Sequence, residues 1–249
     1  MMPSKKTKGY LIVASKDSIY YDWACNLLDG IKDFYPEAKI CLVVEERFLD
    51  HRADQADEII FCDGHYRAKL WGMANSPWDI TFYIDADMEI IHEDISKVFD
   101  DLGDSDMVYT TLQPEHYHIF ADVDFPGGRF ELCGAVCLYR KSELVDQFMQ
   151  DWYDIYVDQQ SGNWWPLNDK GEYDYELYPR CLAIWDQFTL WWLVNKEPKY
   201  ASLIVGEFAN NEKWNWWSIL DPIKFPKPED TVLVHMSSAA SKNLSDVIL

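Results

Sequence analysis

The stretch "WDITFYIDADMEIIHEDI", residues 78–95, decides the fold. Ile80, Phe82, Tyr83 and Ile84 form an apolar run that leads into Asp85 and Asp87, and Ile90 and Ile91 follow. A run this short, with no helical period, reads as a buried strand. It ends on carboxylates at positions i and i+2, which point to the same side of an extended chain. Two anionic oxygens at the carboxyl edge of a sheet suit a hard divalent cation such as Mg²⁺ or Mn²⁺. A buried strand does not end on charge without a partner, because an unpaired, desolvated carboxylate is costly.

The Asp-x-Asp string alone carries little weight. The chain has 28 aspartates in 249 residues, so about three such pairs are expected by chance. Three occur: Asp85/Asp87, Asp104/Asp106 and Asp122/Asp124. The second lies in polar "DDLGDSDM" and the third in a Pro/Gly loop. Only the first closes a hydrophobic strand.

Outward from that stretch, the chain alternates strands and helices. "GYLIVAS" (9–15) reads as a strand, followed by a helix with Ser18 as N-cap and Ile19, Trp23, Leu27, Ile31 and Phe34 on one face. "AKICLVVEE" (38–46) and "ADEIIFCDG" (56–64) read as the second and third strands, and a helix over about 65–75 leads to the fourth. This β-α-β-β-α-β order belongs to an open, mostly parallel sheet with helices on its faces. Ligands bind beyond the carboxyl ends of such strands, where Asp85 and Asp87 fall. Further on, 91–102 reads as a short helix, 105–112 and 130–140 as strands, and 141–159 as a helix opened by Ser142. Residues 113–130 and 160–181 read as loops, 184–195 as a helix, and 200–208 and 231–238 as late strands. With no repeat or linker, the expectation is one domain over 1–249. Its first part spans about 1–112 and its second about 113–249.

Composition narrows the class. The formal net charge is −21, from 43 acidic and 22 basic residues, which argues against nucleic acid or an anionic membrane surface as partner. No apolar run approaches the roughly 18–20 residues that span a bilayer, and the start, "MMPSKKTKGYLIVASKD", has too short an apolar stretch for a secretory signal. Cys25, Cys41, Cys62, Cys133, Cys137 and Cys181 lack metal-site spacing. Reduced, buried thiols and a cytoplasmic setting are expected.

"YIDADMEI" and its surroundings resemble the metal-binding signature of GT-A fold glycosyltransferases, most of all the retaining family 8 enzymes related to glycogenin. The resemblance implies an α/β, GT-A-like (Rossmann-like) domain that moves a hexose from a nucleoside-diphosphate sugar, with UDP the expected nucleotide, to a hydroxyl acceptor. It implies Mn²⁺ or Mg²⁺ on Asp85 and Asp87, with Ala86 between them at the donor. Lys69 in "RAKLWGM" matches a donor-contacting basic residue, with Arg67 as the nearby alternate. Gly134 in "LCGAV" matches the glycine of an Asn-x-Gly strand, where Leu132 replaces the asparagine. Asp186 and Gln187 in "IWDQF" match a pair near the anomeric carbon and the acceptor. His235 in "VLVHMSSAASKN" matches the third metal ligand. Lys242 matches a diphosphate-binding lysine displaced by one position, and the family's glycine is absent.

The residues themselves agree with that chemistry. A leaving nucleoside diphosphate develops negative charge, which a metal on two carboxylates and an imidazole stabilises with help from an ammonium group. Ala14 and Ser15, with Asp17 and Tyr20 or Tyr21 beyond them, stand where a base would lie. Trp164, Trp165, Trp214, Trp216 and Trp217 offer flat platforms for sugar rings, whereas Trp191 and Trp192 fit a helical core better. Two other classes stay open. A nucleotidyltransferase or phosphohydrolase also sets paired aspartates at a sheet edge, although "VASKDSIYY" has no phosphate-cradling glycine. A non-catalytic carbohydrate-binding protein would use the tryptophans alone. The acceptor is a glycan, a glycolipid or a protein.

Overall fold

The computed structural model describes residues 6–65, 67–111, 132–178, 186–218, 223 and 226–236. Strands β1 (Lys8–Ala14), β2 (Ile40–Val44), β3 (Glu58–Phe61), β4 (Ile80–Asp85), β6 (Met107–Thr111), β7 (Leu132–Arg140) and β8 (Val205–Glu207) form one sheet in the order β3-β2-β1-β4-β7-β6-β8. All its pairings are parallel except those of β7, which runs antiparallel to both β4 and β6. β2 is buried throughout and β4 until Asp85, the pattern of a parallel sheet covered on both faces.

Alternate side chains feed two cores. Tyr10, Ile12, Ile40, Phe82 and Ile84 pack beneath helix α1 (Ser18–Phe34). Leu11, Val13, Val43 and Tyr83 pack on the other face against α2 (Ala68–Ala74), α3 (Glu143–Gln160) and α4 (Gln187–Asn195). The two-residue period of the strands thus places neighbouring residues in opposite layers.

A second, three-stranded sheet completes the carboxyl edge. Beyond Asp87 the chain forms β5 (Met88–Ile90), which pairs antiparallel with β10 (Leu233–His235). β10 in turn pairs parallel with β9 (Trp216–Trp217), which follows the short helix α5 (Asn211–Trp214). His235 stands opposite Met88 in this register, one residue past Asp87.

Several local expectations shift. Asp17, not Ser18, caps α1, its Oδ1 accepting the Ile19 N–H at 3.0 Å. Ser142 caps α3 as expected, its Oγ accepting the Val145 N–H at 3.2 Å. The helix begun at residue 65 starts only at Ala68, because Ser15 Oγ donates to the His65 carbonyl at 2.5 Å and His65 Nδ1 accepts the Arg67 N–H at 3.0 Å. The segment read as a helix over 91–102 is a 3₁₀ helix, Glu93–Leu102, opened by His92, whose Nδ1 accepts the Asp94 N–H. Cys25, Cys41, Cys62, Cys133 and Cys137 are free thiols, all buried except half-buried Cys62, and Cys181 lies outside the described residues. No described helix is long and apolar enough to cross a membrane.

Trp78, which opens the deciding stretch, locks β1 to the sheet. Its indole donates to the Tyr10 carbonyl at 3.1 Å and lies flat over Gly9, where a Cβ would stand 2.4–2.6 Å from the ring. Gly9→Ala is therefore expected to destabilise the protein by about 1–3 kcal/mol through overpacking. Urea denaturation checks this, and a midpoint equal to wild type would show that the ring is not fixed there.

Candidate active site

The end of β4 opens into a small cavity of about 100 Å³ that collects much of the expected site. Ser15, Tyr20, Lys69, Asp85, Ala86 and Asp87 line it together with Val13, Arg67 and Tyr83. A larger cavity of about 540 Å³ lies beside it, lined by Glu45, Arg47, Phe61, His65, Trp71 and Tyr153 among others. The Ser15–His65 hydrogen bond joins the walls of the two.

The turn after β1 is held from β2. Glu45 accepts the Lys16 backbone N–H and pairs with Arg47 Nε at 2.7 Å, while Arg47 donates to the Lys16 carbonyl at 3.2 Å. Lys16 has φ 75°, a left-handed conformation costly for a residue with a side chain. Those contacts hold the turn that presents Ser15 and Tyr20.

At the other wall, charges alternate. Lys69 Nζ stands 3.4 Å from Asp85 and 3.3 Å from Asp186, and donates to the Gly134 carbonyl at 3.1 Å. Arg67 Nε lies 2.9 Å from the other Asp186 oxygen. Asp186 is 1% exposed. Burial raises its carboxyl pKa, but Lys69 and Arg67 more than reverse this and hold it below the usual carboxylate range. Burial likewise disfavours the Lys69 ammonium, yet Asp186 and Asp85 outweigh it and raise the pKa. For Asp85, burial and the nearby Asp87 win over Lys69, so its carboxyl is shifted up. Tyr83 OH donates to Asp85.

Gly134 serves this cluster. A Cβ on it would sit 2.9 Å from Asp186 Oδ2 and 3.3 Å from the Trp152 ring, and Trp152 Nε1 donates to the Asp186 carbonyl at 3.0 Å. Asp186 begins α4 without a side-chain cap bond, so its carboxylate faces the cations instead of its own helix. Gln187 follows half-buried, its Oε1 buried with no hydrogen-bond partner among the described residues.

Asp87 faces His235. Their Oδ2 and Nε2 atoms stand 3.5 Å apart, on side chains 11% and 8% exposed. Burial works against the Asp87 anion, but the adjacent imidazole holds its carboxyl below the usual range. The Met236 N–H donates to the Asp87 carbonyl at 2.9 Å, tying the turn to β10. Two donors about 2.1 Å from one ion, at right or somewhat wider angles, stand roughly 3.0–3.5 Å apart. Asp87 and His235 therefore fit a hard divalent cation in donor type and spacing. Asp85 is instead turned to Lys69 and Tyr83, and among the described residues no three His, Cys, Asp or Glu side chains enclose one point.

Other expected residues flank the cavity. Ala14 is the buried last residue of β1, and Asp17 is engaged as the α1 cap. Lys242 lies outside the described residues. Sequence reasoning had no signal for Asn215, buried beside His235, and read Tyr83 only as part of the apolar run, although Tyr83 and Asp85 are residues i and i+2 of β4 and share one face. Two of the tryptophans read as platforms are buried. Trp214 is core, packed on Phe82 and Phe208, and Trp217 is buried against the His235 ring with centroids 4.0 Å apart. Trp216 is half-buried, as are Trp164 and Trp165.

No protein-family model and no curated protein matches the sequence. Solved structures do match in shape. The chain is similar to the galactosyltransferase LgtC, solved in complex with donor and acceptor sugar analogues, with a TM-score of 0.57 and 15% identity over 90% of this chain and 86% of that one. An active-site mutant of LgtC matches equally. The glycosyltransferase GlyE of Streptococcus pneumoniae TIGR4 matches with a TM-score of 0.56 and 12% identity, over 92% of this chain and 54% of GlyE. The fold is that of the GT-A glycosyltransferases. At such low identity the likeness concerns the fold, and in this GT-A fold the cluster above occupies the carboxyl edge of the sheet.

Lys69→Met leaves Asp186 with Arg67 alone and strips Asp85 of its cation. Removing one partner from a buried ion cluster is expected to destabilise by about 3–5 kcal/mol. Adding Asp186→Asn should recover part of that loss, and a thermal double-mutant cycle measures it. Strict additivity would refute the coupling.

Proposed function

We propose that the chain is a metal-dependent glycosyltransferase that takes a hexose from a nucleoside-diphosphate sugar, in first place a UDP-sugar, and transfers it to a hydroxyl of a glycan, glycolipid or protein. The observation that carries this reading is the Asp85–Ala86–Asp87 turn at the end of β4, with Asp87 3.5 Å from His235 and Lys69 in the same cavity, on a GT-A fold.

Asp87 and His235 would hold Mn²⁺ or Mg²⁺, with Asp85, here bonded to Tyr83 and Lys69, as the candidate third ligand. Bound there, the cation neutralises the diphosphate and stabilises the charge of the leaving group. The charges support a cation. Among the described residues, Asp85, Asp87 and Asp186 are met at close range by Lys69, Arg67 and the His235 imidazole, and a diphosphate adds further negative charge.

This chain's own residues supply the rest. The Lys69 ammonium, kept charged by Asp186, would bind the diphosphate. Lys242, as the sequence suggests, adds a second ammonium. Ser15 and Tyr20, on the turn clamped by Glu45, bind the nucleoside end with Ala14 and Asp17 beside them. Gly134 leaves room for Asp186 at the sugar end. The unsatisfied Gln187 Oε1 is an acceptor for a sugar hydroxyl, because a buried carbonyl without a donor is costly. Retention of anomeric configuration follows the resemblance, with Asp186 and Gln187 nearest the reacting carbon. In this reading residues up to about 112 bind the nucleotide and the later ones face the acceptor.

Turnover of UDP-sugars with Mn²⁺ tests the proposal. The Asp85→Ala/Asp87→Ala double variant is expected to lose about 100-fold or more, and chelation should silence the wild type. Undiminished activity in the double variant would sink the metal site.

A further inference from the structure

The bulge in β6 and the buried amide of Asn215 bear on how His235 is set. Between Tyr109 and Thr110 the β6–β7 register shifts, so that Thr110 pairs with Cys133. Bulges of this kind re-aim side chains near active sites. Here the shift brings Thr110 Oγ1 and Cys133 Sγ to the Asn215 amide nitrogen, at 3.1 and 3.5 Å. Asn215 is 3% exposed, and its helix is pinned to the same strand by Asn211, which accepts the Thr111 N–H at 2.8 Å and donates to the Thr111 carbonyl at 2.7 Å.

With the amide nitrogen committed to β6 and β7, Asn215 Oδ1 faces His235 Nδ1 at 3.2 Å. A carbonyl oxygen only accepts, so the proton of the neutral ring lies on Nδ1. The Nε2 atom then presents its lone pair toward Asp87 Oδ2. Their 3.5 Å separation is longer than the 2.7–3.2 Å of a well-formed N–H···O bond, and a lone pair opposite an anionic oxygen calls for a cation between the two. Trp217 lies tilted 31° over the ring at 4.0 Å and limits its rotation.

We propose that Asn215 is a positioning residue whose side-chain carbonyl holds His235 as the Nδ1–H tautomer, leaving Nε2 for the divalent cation shared with Asp87. This rests on the proposed metal role of Asp87 and His235, and it adds a chain of causes. The β6 bulge orients the amide, the amide selects the tautomer, and the tautomer makes the imidazole a ligand. Such outer contacts typically govern metal affinity by 10–100-fold.

The test uses the full chain labelled with ¹⁵N. Imidazole two-bond ¹H–¹⁵N spectra at alkaline pH without metal, with His235 assigned by its loss in His235→Ala, are expected to show protonated Nδ1. A protonated Nε2 overturns the proposal without any Asn215 variant having to fold. Titration calorimetry with MnCl₂ then follows affinity. Asn215→Ala should weaken binding 10–100-fold, while Asn215→Asp, which keeps an acceptor at Nδ1, should stay within a few-fold of wild type or bind more tightly. Wild-type affinity in a folded Asn215→Ala protein overturns the positioning role. If His235→Ala itself leaves Mn²⁺ affinity unchanged, the cation site fails, and the tautomer spectrum tells that failure apart from a wrong assignment of Asn215.

Discussion

A lysine ammonium buried between two carboxylates governs the centre of this molecule. Lys69 lies 3.3–3.4 Å from Asp186 and Asp85, and neither aspartate would remain ionised at such burial without a cation. The geometry around it follows from that need. Helix α2 begins only at Ala68, which leaves Arg67 and Lys69 at the sheet edge. Asp186 gives up the cap of its own helix to face them, and Gly134 is bare because the carboxylate lies against it. Trp152 closes the far side with a hydrogen bond to the Asp186 carbonyl.

That cluster also sets the division of labour among the aspartates. Asp186 is paired with Arg67 and Lys69 and low in pKa, whereas Asp85, bonded to Tyr83 and Lys69, is shifted up by its burial. Asp87 is separated from the cluster and turned to His235. Three carboxylates thus stand in three electrostatic settings at one edge of the sheet.

The sheet was legible because its strands are short apolar runs with charged ends, and burial on both faces leaves no other reading. Asp85 and Asp87 were legible for the same reason, as was His235 at the end of "TVLVH". Local capping was less so: Asp17 and Ser18 are both good caps, and only the extended backbone at Asp17 decides between them. Asn215 and Trp217 carried no signal. They sit in "EKWNWWS", whose polar neighbours suggested exposure. Tertiary contacts override that suggestion, for Trp214 finds an acceptor in Asp101 at 2.6 Å and Trp217 finds the face of an imidazole. Such partners lie roughly 20–110 residues away, beyond any local pattern.

The small β5-β10-β9 sheet has a consequence for biosynthesis. It joins the turn at Asp87 to a strand ending at His235, with most of the chain between them. At translation rates of about 5–20 residues per second, roughly 7–30 s separate the appearance of the two. Through that interval the nascent chain holds the aspartates of the turn, but neither the imidazole nor, until late, Asp186. The large sheet can gather most of its strands first. A chain cut short before β10 would lack the histidine opposite Asp87, so the Asp87–His235 pair forms only after β10 has been made.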